Sequence, residues 1–504
     1  MNEPRPQTTR SPASPAHAHS SAARSPLTIP VHLPRRIHML GIGGAGLSGA
    51  ARILKERGHV VSGYDRSHSS TLEPLLRSGF DVRTGDSKAA QLPHDAQLLV
   101  RTAAISEQDP QVQEALRRGI PVLKYAELLP RLADPRRTLA VAGTHGKTTT
   151  SWMLLHALEA CASAASSPAP GALIGGICRR RETNALPGAS GAPFVVEACE
   201  YDRSFLQLTP GAAAITNVDA DHLDYYGSLD AIEEAFARFA DRVHPDGLLV
   251  LGRNVPDRVE SAANARCLRL GREFELVLDG FAQGCARLRV RGPGWASPSF
   301  QLAVPGDFNA ENAALAYALA VSLEGVPDAA RLEAAARGLA HFLGVQRRFE
   351  PWGSAAGVEL VHDYAHHPTE LRATLQAARR RSPSADLHVL FQPHQHSRTA
   401  RFLEEFASEL AGATRVVVAD VYGARSHIDA GHQAGAGELV QRINALGGQA
   451  LEGGPPTAAV KVYAHGLTSG ALGLVVGAGD IEGVREDLLR ELALCGAGAR
   501  GSLA

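Results

Sequence analysis

The stretch with the clearest chemical content is Gly143-Thr144-His145-Gly146-Lys147-Thr148-Thr149-Thr150. A short apolar run at 138–142 precedes it and reads as a buried strand, and a helix-compatible stretch at 151–160 follows. Strand, glycine turn, Lys-Thr and helix is the order in which chains hold polyphosphate. Glycines let backbone N–H groups approach phosphate oxygens, and the helix start adds unpaired N–H groups and a positive dipole end. Lys147 can reach the terminal phosphates, and the Thr148 hydroxyl can ligate Mg²⁺. The pattern is the shorter G-x-x-G-K-T, because Val141 stands where the longer one has glycine. ATP binding with Mg²⁺ is the expectation. The bland alternative is an ordinary strand-to-helix turn with a solvated lysine, and the Lys-Thr-Thr-Thr continuation disfavours it.

A second glycine run, Gly41-Ile42-Gly43-Gly44-Ala45-Gly46, fits G-x-G-x-x-G between a strand pattern and a helix pattern. Asp65 ends the next strand pattern, near the spacing at which an acid meets a ribose hydroxyl. A nucleotide or UDP-sugar diphosphate at this helix start is favoured over a turn needed only for close packing. Two later strand patterns also end in acids. Phe194-Val195-Val196-Glu197 runs into Ala198-Cys199-Glu200-Tyr201-Asp202, and residues 212–217 run into Asp219, Asp221, His222 and Asp224. Mg²⁺ needs only one or two protein carboxylates, and Glu197 is the better candidate. His222 is a ligand, a phosphate contact, or simply a loop histidine among acids. Asn309 and Asn312, three apart at a helix start, read an adenine edge or cap the helix.

In the last third, polar residues gather at the carboxyl ends of strand patterns. They are Asp363-Tyr364-Ala365-His366-His367-Pro368, Gln392-Pro393-His394-Gln395-His396-Ser397-Arg398, Asp420, and Gly477-Ala478-Gly479-Asp480. Open parallel sheets bind ligands at that edge.

The elements that must position these residues alternate as strand and helix, which places the chain in the α/β class with parallel sheets. Three domains are expected. Residues 35–134 form a Rossmann-like sheet, 135–343 a central P-loop ATPase-type α/β domain, and 344–504 a C-terminal Rossmann-like α/β domain. Short alternating runs between 255 and 305 suggest a small antiparallel addition. Residues 1–34, rich in Pro, Ser, Ala and His, read as a disordered extension.

Across 504 residues, 51 Lys and Arg nearly balance 52 Asp and Glu. That leaves no electrostatic case for nucleic acid or a membrane surface. No apolar run approaches the roughly 18 residues needed to span a bilayer, so no membrane insertion is expected. The six cysteines show no C-x-x-C spacing and read as reduced thiols of a cytoplasmic protein.

Taken together, the motifs resemble those of the Mur ligase family. Residues 143–149 are similar to its ATP loop, Glu197 to Asp202 and Asn217 to Asp224 to its second and third motifs. Gly306 to Asn312, Arg347-Arg348-Phe349-Glu350 and Asp363 to Pro368 are similar to the later ones. The resemblance covers about residues 36–492. Residues 391–399 and 41–49 resemble the branch that adds L-alanine to UDP-N-acetylmuramate, the first amino-acid addition in peptidoglycan precursor synthesis. Relatives of later steps use a carbamylated lysine, and no lysine lies between His222 and Gly247.

The resemblance implies roles by position. Gly143, Thr144, His145, Gly146, Lys147, Thr148 and Thr149 would hold the nucleotide's phosphates. Thr148 and Glu197 would ligate one Mg²⁺ and His222 a second. Asn309 and Asn312 would lie near adenine, Asp363 near the ribose and Arg348 near the γ-phosphate. Tyr364, His366 and Arg398 would hold alanine. Gly41, Gly43, Gly46, Ser48 and Asp65 would take the UDP part of the sugar. Lys147, Glu197, His222 and Arg348 would serve the chemistry, in a monomer or homodimer. Three positions depart from the family pattern: His362 stands for an Asp, Phe308 for a His, and Gln395 for an Arg.

Overall fold

A computed structural model of the protein describes residues 32–68, 72–423 and 434–501. The expected disordered extension therefore lies, up to residue 31, outside the described residues. Four sheets organise the rest.

The first sheet is wholly parallel. Its order is Asp81–Thr84, Val60–Asp65, Arg36–Leu40, Leu98–Arg101, Val122–Lys124. Its inner strands are apolar on both faces because helices cover both. The helix Ala45–Glu56 buries Leu47, Ala50, Ala51, Ile53 and Leu54, the spacing of a core-facing stripe. That helix also docks on the central sheet: Asn184 Nδ2 donates to Ala45 O at 2.5 Å and Arg52 to Asn184 Oδ1 at 3.1 Å.

The second sheet has seven strands. The phosphate-loop strand Thr138–Ala142 lies at its centre, between Phe194–Glu197 and Ala212–Ile215. Leu248–Leu251 and Arg266–Arg269 extend one side; Gly171–Cys178 and the antiparallel Thr183–Leu186 extend the other. A small antiparallel sheet, Glu275–Ala282, Cys285–Gly292, Trp295–Ala296 and Phe300–Pro305, forms the expected addition. The helix Asp307–Ser322 is sandwiched between these two sheets and buries almost every residue. Ala313, Ala314, Ala316, Ala318 and Ala320 are fully buried there, because small side chains let a helix pack on all sides.

The last sheet has a single antiparallel edge, Glu350–Ala355. Val358–Asp363, Leu472–Gly477, Leu387–Gln392, Arg415–Ala419 and Ala450–Gly454 follow in parallel. Two helices follow the polar loop after Leu387–Gln392, His396–Arg401 and Leu403–Leu410. Phe402 leaves helical geometry between them and packs its ring on His367 at 4.8 Å.

Strand alternation explains one departure from the family pattern. Asp363 and His362 are neighbours on one strand, so they face opposite sides of the sheet. His362 turns from the cleft and stacks on Trp352 at 4.5 Å, its Nδ1 paired with Val475 O.

Burial pushes three imidazoles, His38, His156 and His362, down to about 4. Each is neutral when folded but takes a proton near pH 6.5 when unfolded. The unfolded state therefore binds more protons between these values, and stability rises with pH across that window. The contribution of these three groups to the urea midpoint should fall steadily from about pH 7 towards pH 4. Replacing His362 by Gln should flatten part of that slope.

Candidate functional site

The loop after Thr138–Ala142 is shaped by two glycines. Gly143 has φ +134° and Gly146 φ +82°, the left-handed side where side chains are disfavoured. A Cβ on Gly143 would collide with Thr216 Oγ1, and one on Gly146 would come within 2.6 Å of Asn312 Oδ1. The loop is tied from outside by the segment after Ala212–Ile215. Asn217 Oδ1 accepts from His145 N at 2.9 Å, and Asn217 Nδ2 and Thr216 Oγ1 donate to His145 O at 3.0 and 2.6 Å. The helix Lys147–Ala164 begins at once, so its first N–H groups face the loop.

Lys147 folds back over this turn. Its Nζ donates to Gly143 O at 2.6 Å, Thr144 O at 2.9 Å and Glu200 Oε1 at 2.9 Å. Burial alone would lower the ammonium, but the Glu200 carboxylate outweighs it and the pKa is raised. The charge that the turn presents is therefore permanent. Strand register sets the acids beside it: Val141 pairs with Glu197, and Ala142 with Ile215, just before Asp219 and Asp221. The backbone after Glu200 is strained, with Asp202 and Arg203 at positive φ, as is His222 at φ +52°. Such strain gathers where a site demands it.

A cavity of about 460 Å³ opens from this loop. His145, Gly146, Thr148, Thr149, Asn309, Asn312, Arg348 and Asp363 all line it, together with Asn217, Asp219, Phe308 and Glu370. That size suits a small-molecule ligand. Asn309 Nδ2 donates to Pro305 O at 2.6 Å, and Asn312 Nδ2 to Asn309 Oδ1 at 3.3 Å, so both amides brace the helix start as well as lining the cavity. The Asp363 carboxylate accepts Phe349 N at 2.7 Å and Ala365 N at 2.8 Å. Burial, opposed by Arg348, pushes it up to about 6. Those bonds hold the turn carrying Arg348, which is flanked by positive φ at Arg347 and Phe349.

The donors beside the loop fit a hard divalent cation. Thr148 offers a hydroxyl, and Glu197 uses one oxygen to accept Gly175 N at 2.8 Å. Oxygen ligands of this kind suit Mg²⁺. His222 Nε2 lies 3.9 Å from carboxylate oxygens of both Glu200 and Asp221. A separate group, His145, Asp219 and His367, brings potential ligand atoms within 4.8 Å of one another. It is better described as a hydrogen-bonded cluster. His145 pairs with Asp219 at 3.2 Å through Nε2 and with Glu370 at 3.4 Å through Nδ1. Burial would lower that imidazole, yet these two partners raise it to about 9, so both ring nitrogens carry protons.

The central and C-terminal sheets meet here. Thr369 Oγ1 donates to Asp219 Oδ2 at 2.9 Å, and Arg398 Nη2 to Asp221 Oδ1 at 2.8 Å. His366 Nδ1 faces Tyr364 O at 3.0 Å, and Arg348 lies 5.7 Å from the Tyr364 ring. Tyr364, His366 and Arg398 thus border the same seam as the phosphate loop. Gln395, at φ +67°, starts the turn that delivers Arg398.

Gly41, Gly43 and Asp65 line a second cavity of about 840 Å³ in the first sheet, with Tyr64, Arg66 and Thr102. Asp65 Oδ2 accepts Gly43 N at 2.8 Å. Gly46 and Ser48 sit elsewhere. Gly46 gives room to Tyr125, since a Cβ there would come within 2.5 Å of its ring, and the buried Ser48 hydroxyl donates to Ala45 O at 3.0 Å.

Sequence reasoning assigned no role to Glu370, the most connected carboxylate of the seam. One signal was available: Glu370 follows His367 by three residues at the start of the helix Pro368–Arg381, the place of an N3 acid. Glu200, Asp219 and Asp221 were seen only as motif members, and here they carry the pairings with Lys147, His145 and Arg398.

Comparison with known proteins agrees with this arrangement. Residues 36–137 match the Mur ligase family catalytic domain, 141–320 the Mur ligase middle domain, and 347–479 the Mur ligase glutamate ligase domain. The chain belongs to the Mur ligase family. A UDP-N-acetylmuramate–L-alanine ligase of Saccharopolyspora erythraea is 40% identical, over 91% of this chain and 94% of the relative. One from Kineococcus radiotolerans is 42% identical, over 91% and 96%. The crystal structure of a UDP-N-acetylmuramate–alanine ligase from Thermotoga maritima superposes with TM-score 0.74 at 25% identity, covering 90% of this chain and 98% of that one. A murein peptide ligase from Psychrobacter arcticus shares the fold, with TM-score 0.67 at 21% identity over 91% and 99%. The three-domain Mur ligase architecture therefore extends across nearly all described residues.

Changing Gly146 to Ala should cost stability, of the order of 1–2 kcal/mol for an L side chain forced to positive φ. It should also weaken ATP binding more than binding at the Gly41–Asp65 cavity. Thermal melting with titrations of each ligand checks both.

Proposed function

We propose that the chain joins L-alanine to the lactyl carboxylate of UDP-N-acetylmuramate at the expense of ATP, through an acyl phosphate, as a step of peptidoglycan precursor synthesis in the cytoplasm. One observation carries this reading. The glycine–lysine turn lies between two acid-tipped strands and opens on a cavity whose far wall is the C-terminal sheet.

A carboxylate resists an amine because oxide is a poor leaving group. Phosphoryl transfer supplies a good one. Negative charge then crowds onto neighbouring oxygens, and Lys147, Arg348 and the loop N–H groups oppose it. Preorganised donors of this kind are often worth about 3 kcal/mol each. Thr148 and Glu197 would hold one Mg²⁺ and His222 a second, and these ions would supply further positive charge. Asn309 and Asn312 border the adenine, and Asp363 the ribose. The turn at Gly41–Gly46 and Asp65 hold the UDP moiety. Gly46 and Ser48 serve there by shaping the helix start. Tyr364, His366 and Arg398 receive alanine, the Arg398 guanidinium meeting its carboxylate. In this division of labour residues 35–134 carry the sugar nucleotide, 135–343 ATP, and 344–504 the amino acid. Closure of the last sheet on the central one brings the reactants together.

Lys147→Ala should abolish alanine-dependent phosphate release, a loss of at least about 10²-fold for one such donor. Binding of UDP-N-acetylmuramate, read by calorimetry, should change little. Undiminished turnover in that variant would sink the assignment. A panel of amino acids with UDP-N-acetylmuramate should show release with L-alanine above all others.

A further inference from the structure

The Glu370 carboxylate is largely buried in the seam, its side chain 12% exposed, and meets three groups at once. Oε2 accepts from His366 N at 3.1 Å and lies 3.3 Å from His366 Nδ1. Oε1 lies 3.4 Å from Arg348 Nη1 and 3.4 Å from His145 Nδ1. One side chain therefore touches the phosphate loop, the arginine at the phosphate end and the histidine of the amino-acid pocket.

We propose that Glu370 is a positioning residue for amide formation, fixing His366 so that its Nε2 takes the proton from the incoming ammonium. This rests on the ligase reading above and adds the residue that prepares the nucleophile. With Nδ1 held by Glu370 and by Tyr364 O, Nε2 is the ring nitrogen left to accept. Alanine arrives as an ammonium and cannot attack until one proton leaves. His366 Nε2 takes that proton, and the amine lone pair forms the C–N bond at the acyl carbon. The C–O bond to phosphate breaks with its electron pair going to phosphate, which carries off the second amine proton. Nδ1–H stays on Glu370 throughout, so the imidazolium forms beside a carboxylate.

The charged and titratable surroundings of His366 agree with this. Glu370 faces it from the helix Pro368–Arg381, Arg398 from His396–Arg401, Asp221 from the central sheet, and Tyr364 and His394 from adjoining loops. Burial lowers the imidazole and Glu370 acts against that, leaving a neutral base. Glu370 itself would be raised by burial, yet His366, His145 and Arg348 hold it well below the usual carboxylate range. It stays charged across the working range.

The test compares Glu370→Gln and Glu370→Asp with the wild type, using ATP, UDP-N-acetylmuramate and alanine. In Glu370→Gln, kcat should fall about 10²-fold, the low end of a general-base contribution. Acyl-phosphate formation without alanine, trapped with hydroxylamine, should fall far less. Loss of the carboxylate leaves burial unopposed, so the acid limb of kcat/KM for alanine should move to lower pH. Glu370→Asp keeps the charge and should hold that limb at its wild-type position. An acid limb unmoved in Glu370→Gln, or equal losses in both half-reactions, would overturn the proposal. If Glu370→Gln does not fold, the Glu370→Asp profile and titration of the His366 ring by NMR in the wild type decide: a ring that stays protonated well above pH 7 overturns it. Wild-type protein giving no alanine-dependent phosphate release would instead sink the ligase reading, whatever Glu370 does.

Discussion

Lys147, His145 and Arg398, in the cleft between the central and C-terminal sheets, are each paired with a carboxylate, and that constraint governs the site. Lys147 meets Glu200, His145 meets Asp219 and Glu370, and Arg398 meets Asp221. Taking such groups out of water costs several kcal/mol per ion, and pairing them seldom returns a net gain over apolar packing. A chain that needed only stability would fill the seam with leucine. In the proposed reaction the charges sit where a triphosphate and two carboxylates are received, and their partners hold them ready without leaving them bare.

The pairs also decide which surfaces touch. Thr369 to Asp219 and Arg398 to Asp221 run from one sheet to the other, so the acids that tip the central strand bind the C-terminal sheet directly. These bonds sit beside the cavity, and the same segment that closes the seam therefore lines the ligand site. The docking of the first sheet is different in kind. Asn184 and Arg52 fasten the helix after the first glycine turn to the central sheet at a distance from the phosphate loop, which suits a firm platform for a large sugar nucleotide.

Much of this could be read from the residue order. The glycine–lysine turn declared itself, because few other uses require Gly, Gly, Lys and Thr in that spacing between strand and helix. The acid-tipped strands were visible as apolar runs with a polar end, and the polar ends read at Asp363 and Asp420 stand at the carboxyl ends of Val358–Asp363 and Arg415–Ala419. Less visible were Gly171–Cys178 and Thr183–Leu186. Their glycines and polar residues weaken any strand signal, and they are strands because Phe194–Glu197 and the docked helix offer them a neighbour.

What the amino-acid order determined by itself was local: turns that only glycine permits, strands buried on both faces, and a loop built for phosphate. These follow from backbone sterics and apolar patterning, which act within a few residues. Only the tertiary structure decided which distant charges meet. That Lys147 chooses Glu200, that His362 faces Trp352 and not the cleft, and that Glu370 gathers His145, Arg348 and His366 depends on sheet register and on how two sheets face each other. Electrostatic pairing acts through space, and the spacing of residues along the chain carries no record of it.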